Sequence, residues 1–398
     1  MPIDELEKQQ TVDNGLKSRK MANFEILCSD SRSTARTGVL TTPHGRVETP
    51  VFMPVGTIGA VKGITPEHLK QTGTNTVLAN TYHLLLRPGV EVVERLGGLH
   101  KFMAWDGPIL TDSGGFQIFS LAGRPGRIPQ NQNPTSLVRV DDNGVEFTSH
   151  VDGTKIYLNA ETVTEIQNRL GADIITCFDQ CTPFPSDQPQ LKEAVERTIR
   201  WAQRCKQTHS KADQMLFAIV QGSTDLGLRT HCASELIKMD FDGYCLGGLS
   251  VGESHEEMVK TVTHTTALLP PEAPRYLMGV GTPADIIAAV AAGVDMFDCV
   301  LPTRNGRNAF AFTENGHIRL RNSAYIDDPQ PIEPQCRCYC CTNFSRAALR
   351  HFFNIGEMLG PILVSLHNLT FYQSLMAKIR QKIQSGEFAH WASEQLRK

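Results

Sequence analysis

The chain has 398 residues, of which 40% are hydrophobic and 20% are charged. That balance excludes disordered and fibrous proteins, and no apolar run reaches the roughly 18 residues that a membrane-spanning helix needs. The formal charge of −3 argues against a nucleic-acid-binding surface over the whole chain, but it leaves a local basic face open. Residues 1–22 are polar and lack the apolar segment of an export signal, so we expect a flexible tail on a cytoplasmic protein with no membrane segment.

From Phe24 onward the pattern is β-rich, and short apolar runs then alternate with amphipathic segments. The runs predict eight strands at residues 51–55, 75–79, 109–111, 174–178, 217–221, 244–246, 276–278 and 296–298. Helices are predicted at residues 66–72, 160–170, 191–207, 226–239, 255–268 and 283–292. This repetition predicts an α/β fold, the (β/α)8 barrel. A doubly wound open sheet is the alternative, but no glycine-rich dinucleotide-binding motif follows the first strand.

Two insertions interrupt the alternation. Residues 121–157 include a predicted hairpin around Asp142-Asn143-Gly144, and residues 312–365 precede a predicted last helix at 371–386. The second insertion carries a cysteine cluster, a predicted helix at 345–359 and a later histidine.

The cysteine cluster predicts a zinc site. Cys336, Cys338, Cys340, Cys341 and His367 offer more ligands than the four positions of a tetrahedral zinc ion, and His351 competes with His367. Two disulfides are the alternative, which a reducing cytoplasm disfavours. A closed four-ligand site is structural, so zinc is not expected to perform the chemistry.

These patterns divide the chain into four parts. We predict the tail (1–22), a catalytic barrel (23–311), a zinc-binding subdomain inserted between strand eight and the last helix (312–370), and a C-terminal helix that returns to the barrel (371–398).

Three acids follow predicted strands: Asp112, Asp179 and Asp298. Because the active site of a parallel barrel lies at the carboxyl ends of its strands, we expect the three to converge. Each could instead cap the following helix, and together they could hold a divalent metal. Neighbouring carboxylates separate one another's pKa values, an arrangement that suits chemistry at a glycosidic bond.

Other strand ends carry residues that fit a planar ligand. Gly114-Gly115 and Gly247-Gly248 allow close approach of the backbone, although such turns also bind phosphate. Phe116 and Met278 could enclose an aromatic ring or belong to the core, and Gln221 could read a base edge or cap a helix. Arginines near strand eight predict either a polyanion contact or a solvated surface; they are Arg304, Arg307, Arg319, Arg321, Arg337, Arg346 and Arg350.

From about Phe24 to its end, the chain resembles the bacterial queuine tRNA-ribosyltransferases, also called tRNA-guanine transglycosylases. The motifs that carry the resemblance are residues 50–57 (PVFMPVGT), 80–84 (NTYHL), 110–117 (LTDSGGFQ), 178–183 (FDQCTP), 221–222 (QG), 247–253 (GGLSVGE), 276–281 (YLMGVG), 295–304 (DMFDCVLPTR), the cysteines at 336, 338 and 341, and 367–369 (HNL). Members of this family are (β/α)8 barrels with a zinc subdomain inserted before the last helix.

The resemblance implies the reaction. The bacterial enzymes exchange guanine at the wobble position of tRNAs with a G-U-N anticodon for 7-aminomethyl-7-deazaguanine, a queuosine precursor. Asp298 is then the nucleophile that attacks ribose C1′ and holds the tRNA covalently, and Asp112 is the general acid/base. The family also implies a homodimer.

The resemblance also assigns the binding residues. Asp179 would accept hydrogen bonds from the base, Gln221 and the Gly248 N–H would donate to its carbonyl oxygen, and Phe116 and Met278 would stack on its faces. The Leu249 carbonyl would meet the aminomethyl group, with Glu253 setting the orientation of that peptide. The remaining residues of the implied base pocket are Asp112, Ser113, Gly114 and Gly115; those of the tRNA contact are Thr303, Arg304, Asn305, Gly306 and Arg307; and the zinc ligands are Cys336, Cys338, Cys341 and His367.

One residue departs from the family pattern. Gln180 stands where the bacterial pattern usually has Glu, beside the pocket acid Asp179, so we expect it to affect the preference between bases. Two alternatives to the catalytic assignment are a non-catalytic subunit of a heteromeric relative and a metal-dependent lyase that uses the three acids. The presence of both Asp112 and Asp298 argues against the first.

Overall fold

We describe a computed structural model, which covers residues 23–122 and 138–397. The predicted flexible tail, residues 1–22, lies outside the described residues, as does part of the first insertion. The strands are β1 (Phe24–Ser29), β2 (Arg36–Thr42), β3 (Gly45–Thr49), β4 (Val51–Gly56), β5 (Val77–Asn80), β6 (Ile109–Asp112), β7 (Val138–Val140), β8 (Gly144–Thr148), β9 (Lys155–Asn159), β10 (Ile174–Thr176), β11 (Met215–Val220), β12 (Gly243–Leu246), β13 (Arg275–Leu277), β14 (Met296–Cys299), β15 (Phe310–Thr313) and β16 (Gly316–Arg319).

Helices connect the strands. They are α1 (Pro66–Gln71), α2 (Thr81–Leu86), α3 (Val90–Arg95), α4 (Leu99–Met103), α5 (Gly115–Ala122), α6 (Ala160–Leu170), α7 (Gln188–Thr208), α8 (Leu226–Lys238), α9 (His255–Leu268), α10 (Pro283–Ala291), α11 (Leu301–Arg307), α12 (Tyr339–Asn343), α13 (Arg346–Ile355), α14 (Leu359–Gln384) and α15 (Phe388–Gln395). Among the described residues, no helix is both long and apolar enough to cross a membrane.

The predicted barrel is confirmed. Strands β4, β5, β6 and β10 to β14 form a closed parallel barrel in which β14 pairs with β4. All eight predicted apolar runs coincide with these strands to within a few residues. Parallel strands between helices bury both faces, which is why they read as continuous apolar runs.

The amino-terminal end of the barrel is closed by the antiparallel sheet β1–β2–β3. Phe24, Leu40 and Val47 from this sheet join the cluster of side chains inside the barrel, which includes Met53 and Phe217. The candidate functional site lies at the opposite end of the barrel, where the strands finish.

The first insertion contains the predicted hairpin. β7 and β8 pair antiparallel around Asp142-Asn143-Gly144, and β9 completes a three-stranded sheet. The Asp141 carboxylate accepts hydrogen bonds from the Asn143 and Gly144 N–H groups, which fixes the turn.

The prediction for the last helix is wrong at its start. α14 begins at Leu359 rather than at residue 371, so His367 lies inside it. Pro361 stands in the first turn, where a missing N–H costs little. α14 packs against both the barrel strand β4 and the inserted elements β15, α12 and α13, so it is apolar on more than one face and its helical period is weak.

The second insertion also differs from the prediction at the end of one helix. The helix predicted at 345–359 ends at Ile355, because Gly356 has a φ of 75° and closes it in the left-handed conformation. The predicted division at residue 370 falls within α14, and the assignment of separate domains stays a prediction.

Candidate active site

A cavity of about 410 Å³ opens at the carboxyl ends of the barrel strands. It brings together the acids predicted to converge and the residues predicted to hold a base. These are Asp112, Ser113, Gly114, Gly115, Phe116, Asp179, Gln221, Gly248, Leu249, Met278 and Asp298. The parallel arrangement explains the convergence, since Asp112 is the last residue of β6 and Asp298 is the penultimate residue of β14.

Asp298 is held through only one of its two carboxylate oxygens. Its Oδ1 accepts a hydrogen bond of 2.6 Å from the Tyr276 hydroxyl and one of 2.8 Å from the Gly279 N–H. Within the described part of the chain its Oδ2 has no such partner, and the residue lines the cavity. Burial raises the pKa of the Asp298 carboxyl, and the two hydrogen bonds oppose that rise. The arrangement fixes the carboxylate and leaves one oxygen for a ligand.

Asp112 lies in the same cavity in a different environment. Its Oδ1 accepts from the Thr81 N–H at 3.1 Å, and its Oδ2 accepts from the Asn80 and Gln117 side-chain amides. Burial first, and the neighbouring Asp298 charge to a smaller degree, raise the pKa of Asp112 to about 7. A carboxyl with that pKa can hold and release a proton near neutral pH.

Asp179 forms the third acidic group. Its Oδ2 accepts a 2.7 Å hydrogen bond from the Gln221 amide, and its Oδ1 accepts one of 3.2 Å from the Ser113 hydroxyl. Burial raises the pKa of Asp179 to about 6. Gln221 keeps a second N–H for a ligand, because a side-chain amide has two.

The three acids do not form a group that could hold a metal ion among the described residues. Protein donors already occupy most of their oxygens, as the hydrogen bonds of Asp112 and Asp179 show. The predicted alternative of phosphate binding by the glycine turns is also disfavoured, since phosphate would meet these carboxylates in the same cavity.

The glycines allow close approach. Gly248 has a φ of 66°, and a Cβ there would lie 2.3 Å from the Gln221 Oε1. A Cβ on Gly115 would lie 2.8 Å from the Asp179 carbonyl oxygen. Each of these positions therefore requires glycine.

Phe116, in α5, and Met278, directly after β13, both line the cavity. Phe116 is 50% exposed at the mouth, so it is not a core residue. Met278 is partly buried and packs on the side chains inside the barrel. An aromatic ring and a thioether both make favourable contacts with planar ligands.

Gln180, which the sequence predicts to affect the preference between bases, has its side chain directed away from the cavity. The side-chain Oε1 of Gln180 accepts a 2.5 Å hydrogen bond from Arg197 of α7, and the backbone N–H of Gln180 donates to the Thr198 hydroxyl. Gln180 does not line the cavity. Neighbouring strand-end residues point to opposite sides, so Asp179 enters the cavity and Gln180 turns to the helix layer.

Sequence reasoning named Asn80, Gln117 and Tyr276 within motifs but gave them no role. The structure shows that all three donate hydrogen bonds to the two acids Asp112 and Asp298. Their positions at or near the ends of barrel strands were the available signal, since Asn80 ends β5, Gln117 lies in α5 and Tyr276 lies in β13. The pairing of donors with acids depends on side-chain direction.

The predicted tRNA contact lies on α11, directly after β14. Arg304 is exposed, and Asn305 and Arg307 are half-buried. Thr303 and Gly306 are buried, and a Cβ on Gly306 would lie 2.6 Å from the Ser365 Oγ of α14. Surface for a ligand is therefore offered by Arg304, Asn305 and Arg307.

Of the remaining basic residues, Arg346 is engaged within the protein. It forms a 3.0 Å ion pair with Asp328, while Arg319, Arg321 and Arg337 are exposed.

The cysteine cluster forms a group that could hold a metal ion. The ligand atoms of Cys336, Cys338, Cys341 and His367 all lie within 4.8 Å of one another. The His367 Nδ1 lies 3.7 Å from the Cys338 sulfur and 3.3 Å from the Cys341 sulfur. Tetrahedral zinc predicts about 3.6 Å for such a pair, from Zn–S of about 2.3 Å and Zn–N of about 2.05 Å.

The surroundings of the cluster also fit a metal. The His367 Nε2 lies 2.7 Å from the Phe312 carbonyl oxygen, which assigns the proton to Nε2 and leaves Nδ1 as the ligand. Cys340 and His351 are not part of the group. The cysteines of the described chain are free thiols, against the disulfide alternative.

A second group, at the amino-terminal end of the barrel, does not have the geometry of a metal site. It consists of His44, His100 and Asp173. The two imidazole rings stack with centroids 3.5 Å apart and 17° between their planes. Nearly parallel rings cannot both direct in-plane lone pairs at one ion between them. The two rings instead hydrogen-bond to Asp173, at 2.7 Å and 3.1 Å.

Comparison with known proteins agrees with this geometry. The family described as queuine tRNA-ribosyltransferase matches residues 30–398. The queuine tRNA-ribosyltransferase of Caldanaerobacter subterraneus subsp. tengcongensis is 50% identical over 376 residues, or 94% of this chain and 97% of that protein. The protein of that name from Desulforamulus reducens is 50% identical over 374 residues (94% and 98%), and the one from Francisella tularensis subsp. novicida is 47% identical over 371 residues (93% and 97%). The chain therefore belongs to the queuine tRNA-ribosyltransferases, a family of pentosyl-transferring enzymes.

Proposed function

We propose that the protein exchanges guanine at the wobble position of tRNAs with a G-U-N anticodon for 7-aminomethyl-7-deazaguanine. These are the tRNAs for Asp, Asn, His and Tyr, and the exchange is a step of queuosine biosynthesis. The single observation that carries the proposal is the pair of acids, buried Asp112 and half-buried Asp298, which line one cavity with different hydrogen-bond environments.

The first half of the reaction is a displacement at ribose C1′. The free Oδ2 of Asp298 attacks C1′, and the bond from C1′ to the base breaks. Asp112 supplies the proton that the departing guanine takes up. Its pKa of about 7 means that a large fraction carries a proton at neutral pH.

The second half reverses these steps. The entering base loses a proton to Asp112 as its nitrogen attacks C1′, and Asp298 leaves as a carboxylate. No proton is gained or lost over the cycle, and no external energy source is needed. A covalent ester divides one difficult substitution into two easier ones.

Base recognition is assigned to residues that follow β10, β11 and β12. Asp179 would accept from the N1–H and the exocyclic amine, while Gln221 and the Gly248 N–H would donate to the carbonyl oxygen. Ser113, which donates to Asp179, supports the orientation of that carboxylate. Phe116 and Met278 would stack on the two faces of the unstacked base.

The aminomethyl group is assigned to the Leu249 carbonyl. The Glu253 carboxylate accepts hydrogen bonds from the N–H groups of Ser250, Val251 and Gly252. Because C=O and N–H point oppositely in a trans peptide, holding the Ser250 N–H outward supports a Leu249 carbonyl directed at the cavity that it lines.

Two further assignments concern the rest of the chain. Arg304, Asn305 and Arg307 would contact the tRNA backbone beside the cavity, and one structural zinc ion would bind Cys336, Cys338, Cys341 and His367. Bound zinc would join α12 to α14 and hold the insertion on the barrel. A tRNA substrate implies a cytoplasmic location. Membership of this family implies a homodimer.

Guanine exchange tests the proposal. Labelled guanine should enter an unmodified tRNA with a G-U-N anticodon and should not enter the same tRNA with adenine at the wobble position. The label should then be displaced by 7-aminomethyl-7-deazaguanine. Absence of labelled guanine from the G-U-N tRNA would contradict the proposed function.

A further inference from the structure

A buried arginine that has no carboxylate partner among the described residues lies behind the cavity. The side chain of Arg229, on α8, is 0% exposed. Among the described residues it forms no ion pair, and burial lowers its pKa to about 10. Removing a cation from water without an opposite charge is costly, so its remaining contacts must compensate.

Those contacts are three backbone carbonyls at two neighbouring strand ends. The Arg229 Nη1 donates to the Val220 carbonyl at 2.9 Å, and its Nε donates to the Ser223 carbonyl at 2.8 Å. Its Nη2 donates to the Gly247 carbonyl at 2.7 Å. One guanidinium therefore joins the turn after β11, which presents Gln221, to the turn after β12, which presents Gly248.

The helix is fitted closely to this turn. Gly222 has a φ of 135°, and a Cβ there would lie 2.9 Å from the Arg229 backbone nitrogen. One turn further along α8, the Cys232 sulfur accepts a hydrogen bond from the Gln221 N–H. The two side chains of α8 thus hold the backbone of Gln221 from behind while its amide faces the cavity.

The contact with Gly247 has a consequence for the next peptide group. The bond between Gly247 and Gly248 is trans, so its C=O and N–H point in opposite directions. Arg229 draws the carbonyl away from the cavity and thereby aims the Gly248 N–H into it. Within the described part of the chain that N–H has no acceptor, and Gly248 lines the cavity.

We propose that Arg229 is a positioning residue that holds the Gly248 N–H and the Gln221 amide as paired donors, and so determines selectivity for a base with a carbonyl oxygen at position 6. This inference rests on the proposed function, which assigns those donors to the base. Arg229 does not line the cavity, so it acts through the two turns rather than by touching the base. Its charge also polarises the peptide and strengthens the N–H as a donor.

The test compares guanine with 6-thioguanine, which keeps the N1–H and the amine but replaces the carbonyl oxygen with a weaker acceptor. The kcat/KM for incorporation of each base into tRNA is measured in the wild type, Arg229→Met and Arg229→Lys. Arg229→Met should reduce kcat/KM for guanine by about tenfold and that for 6-thioguanine much less, so the ratio falls by about tenfold. Arg229→Lys keeps the charge and can reach a carbonyl, so its ratio should fall less.

Arg275 provides the matched control. It is another buried arginine that donates to carbonyls, those of Leu269 and Gly293, and it lies at the opposite end of the barrel. Arg275→Met should lower thermal stability without changing the ratio of the two bases. If Arg229→Met does not fold, a reduced ratio in Arg229→Lys supports the inference.

Two results would overturn the inference while leaving the proposed function intact. One is an unchanged ratio in the folded Arg229 variants, and the other is an equal fall of the ratio in Arg275→Met. A wild-type protein that incorporates no guanine would instead overturn the proposed function and this inference together.

Discussion

Replacing the acid Asp112 by asparagine should stabilise the folded protein at alkaline pH. Burial raises the pKa of Asp112 from its usual 3.8 to about 7 in the folded chain. An acid whose pKa is higher in the folded state than in the unfolded state lowers stability as pH rises between the two values. The loss of folding stability from ionising Asp112 is complete above about pH 7 and absent below about pH 4. An uncharged asparagine side chain at this position would not incur that cost.

The size of the effect follows from the same pKa values. The interval from 3.8 to about 7 corresponds to about 4 kcal/mol at pH 8, and titration leaves about 2 kcal/mol of it at pH 5. Asp112 accepts from Asn80, Thr81 and Gln117, and an amide oxygen cannot replace both carboxylate oxygens. Losing about 1 kcal/mol for a hydrogen bond leaves a net gain of about 3 kcal/mol at pH 8 and about 1 kcal/mol at pH 5.

Urea unfolding of the wild type and Asp112→Asn at both pH values measures this gain. Asp225→Asn is the matched control, because the hydrogen bond from the Leu228 N–H lowers the pKa of Asp225. A lowered pKa contributes stability above the unfolded value, so this variant should be neutral or less stable at pH 8. A gain for Asp112→Asn that is equal at both pH values, or a loss at pH 8, would refute the reasoning.

Three further predictions follow from the site. Elemental analysis should find one zinc per chain in the wild type and less in Cys341→Ser, because the Cys341 sulfur completes the group with His367; an equal zinc content in the two proteins would contradict the ligand assignment. Phe116→Ala should raise KM for the free base by about tenfold, since stacking contributes roughly 1–3 kcal/mol; an unchanged KM would show that the ring does not contact the base. Gln180→Glu should leave the ratio of kcat/KM for guanine and 7-aminomethyl-7-deazaguanine unchanged, because residue 180 faces Arg197; a changed ratio would place this side chain at the base.

The barrel and the position of its site could be predicted from the sequence. Each parallel strand is buried on both faces, so it reads as an apolar run whose end marks the mouth of the barrel. Asp112, Asp179 and Asp298 follow such runs, and the structure brings them into one cavity. The spacing of the cysteines likewise predicted a metal-binding group, although it left the choice between His351 and His367 to the resemblance.

The features that escaped prediction depend on contacts between distant segments. α14 is buried from two sides, so no single apolar face marks its beginning. Gln180 follows Asp179 directly, but it turns to Arg197 on a helix that begins several residues later. In the sequence Arg229 is an ordinary charged helix residue, and only the fold reveals its contacts with carbonyls at the end of β11 and in the turns after β11 and β12.

The proposed covalent bond between Asp298 and the ribose can be tested by trapping the intermediate. Enzyme and G-U-N tRNA are mixed without an acceptor base, and the products are separated by denaturing electrophoresis. We expect a tRNA–protein adduct in the wild type, none in Asp298→Asn, and slower formation by roughly 10²–10⁴-fold in Asp112→Asn, which lacks the proton donor. An adduct that persists in Asp298→Asn and disappears in Asp112→Asn would show that the two roles are reversed.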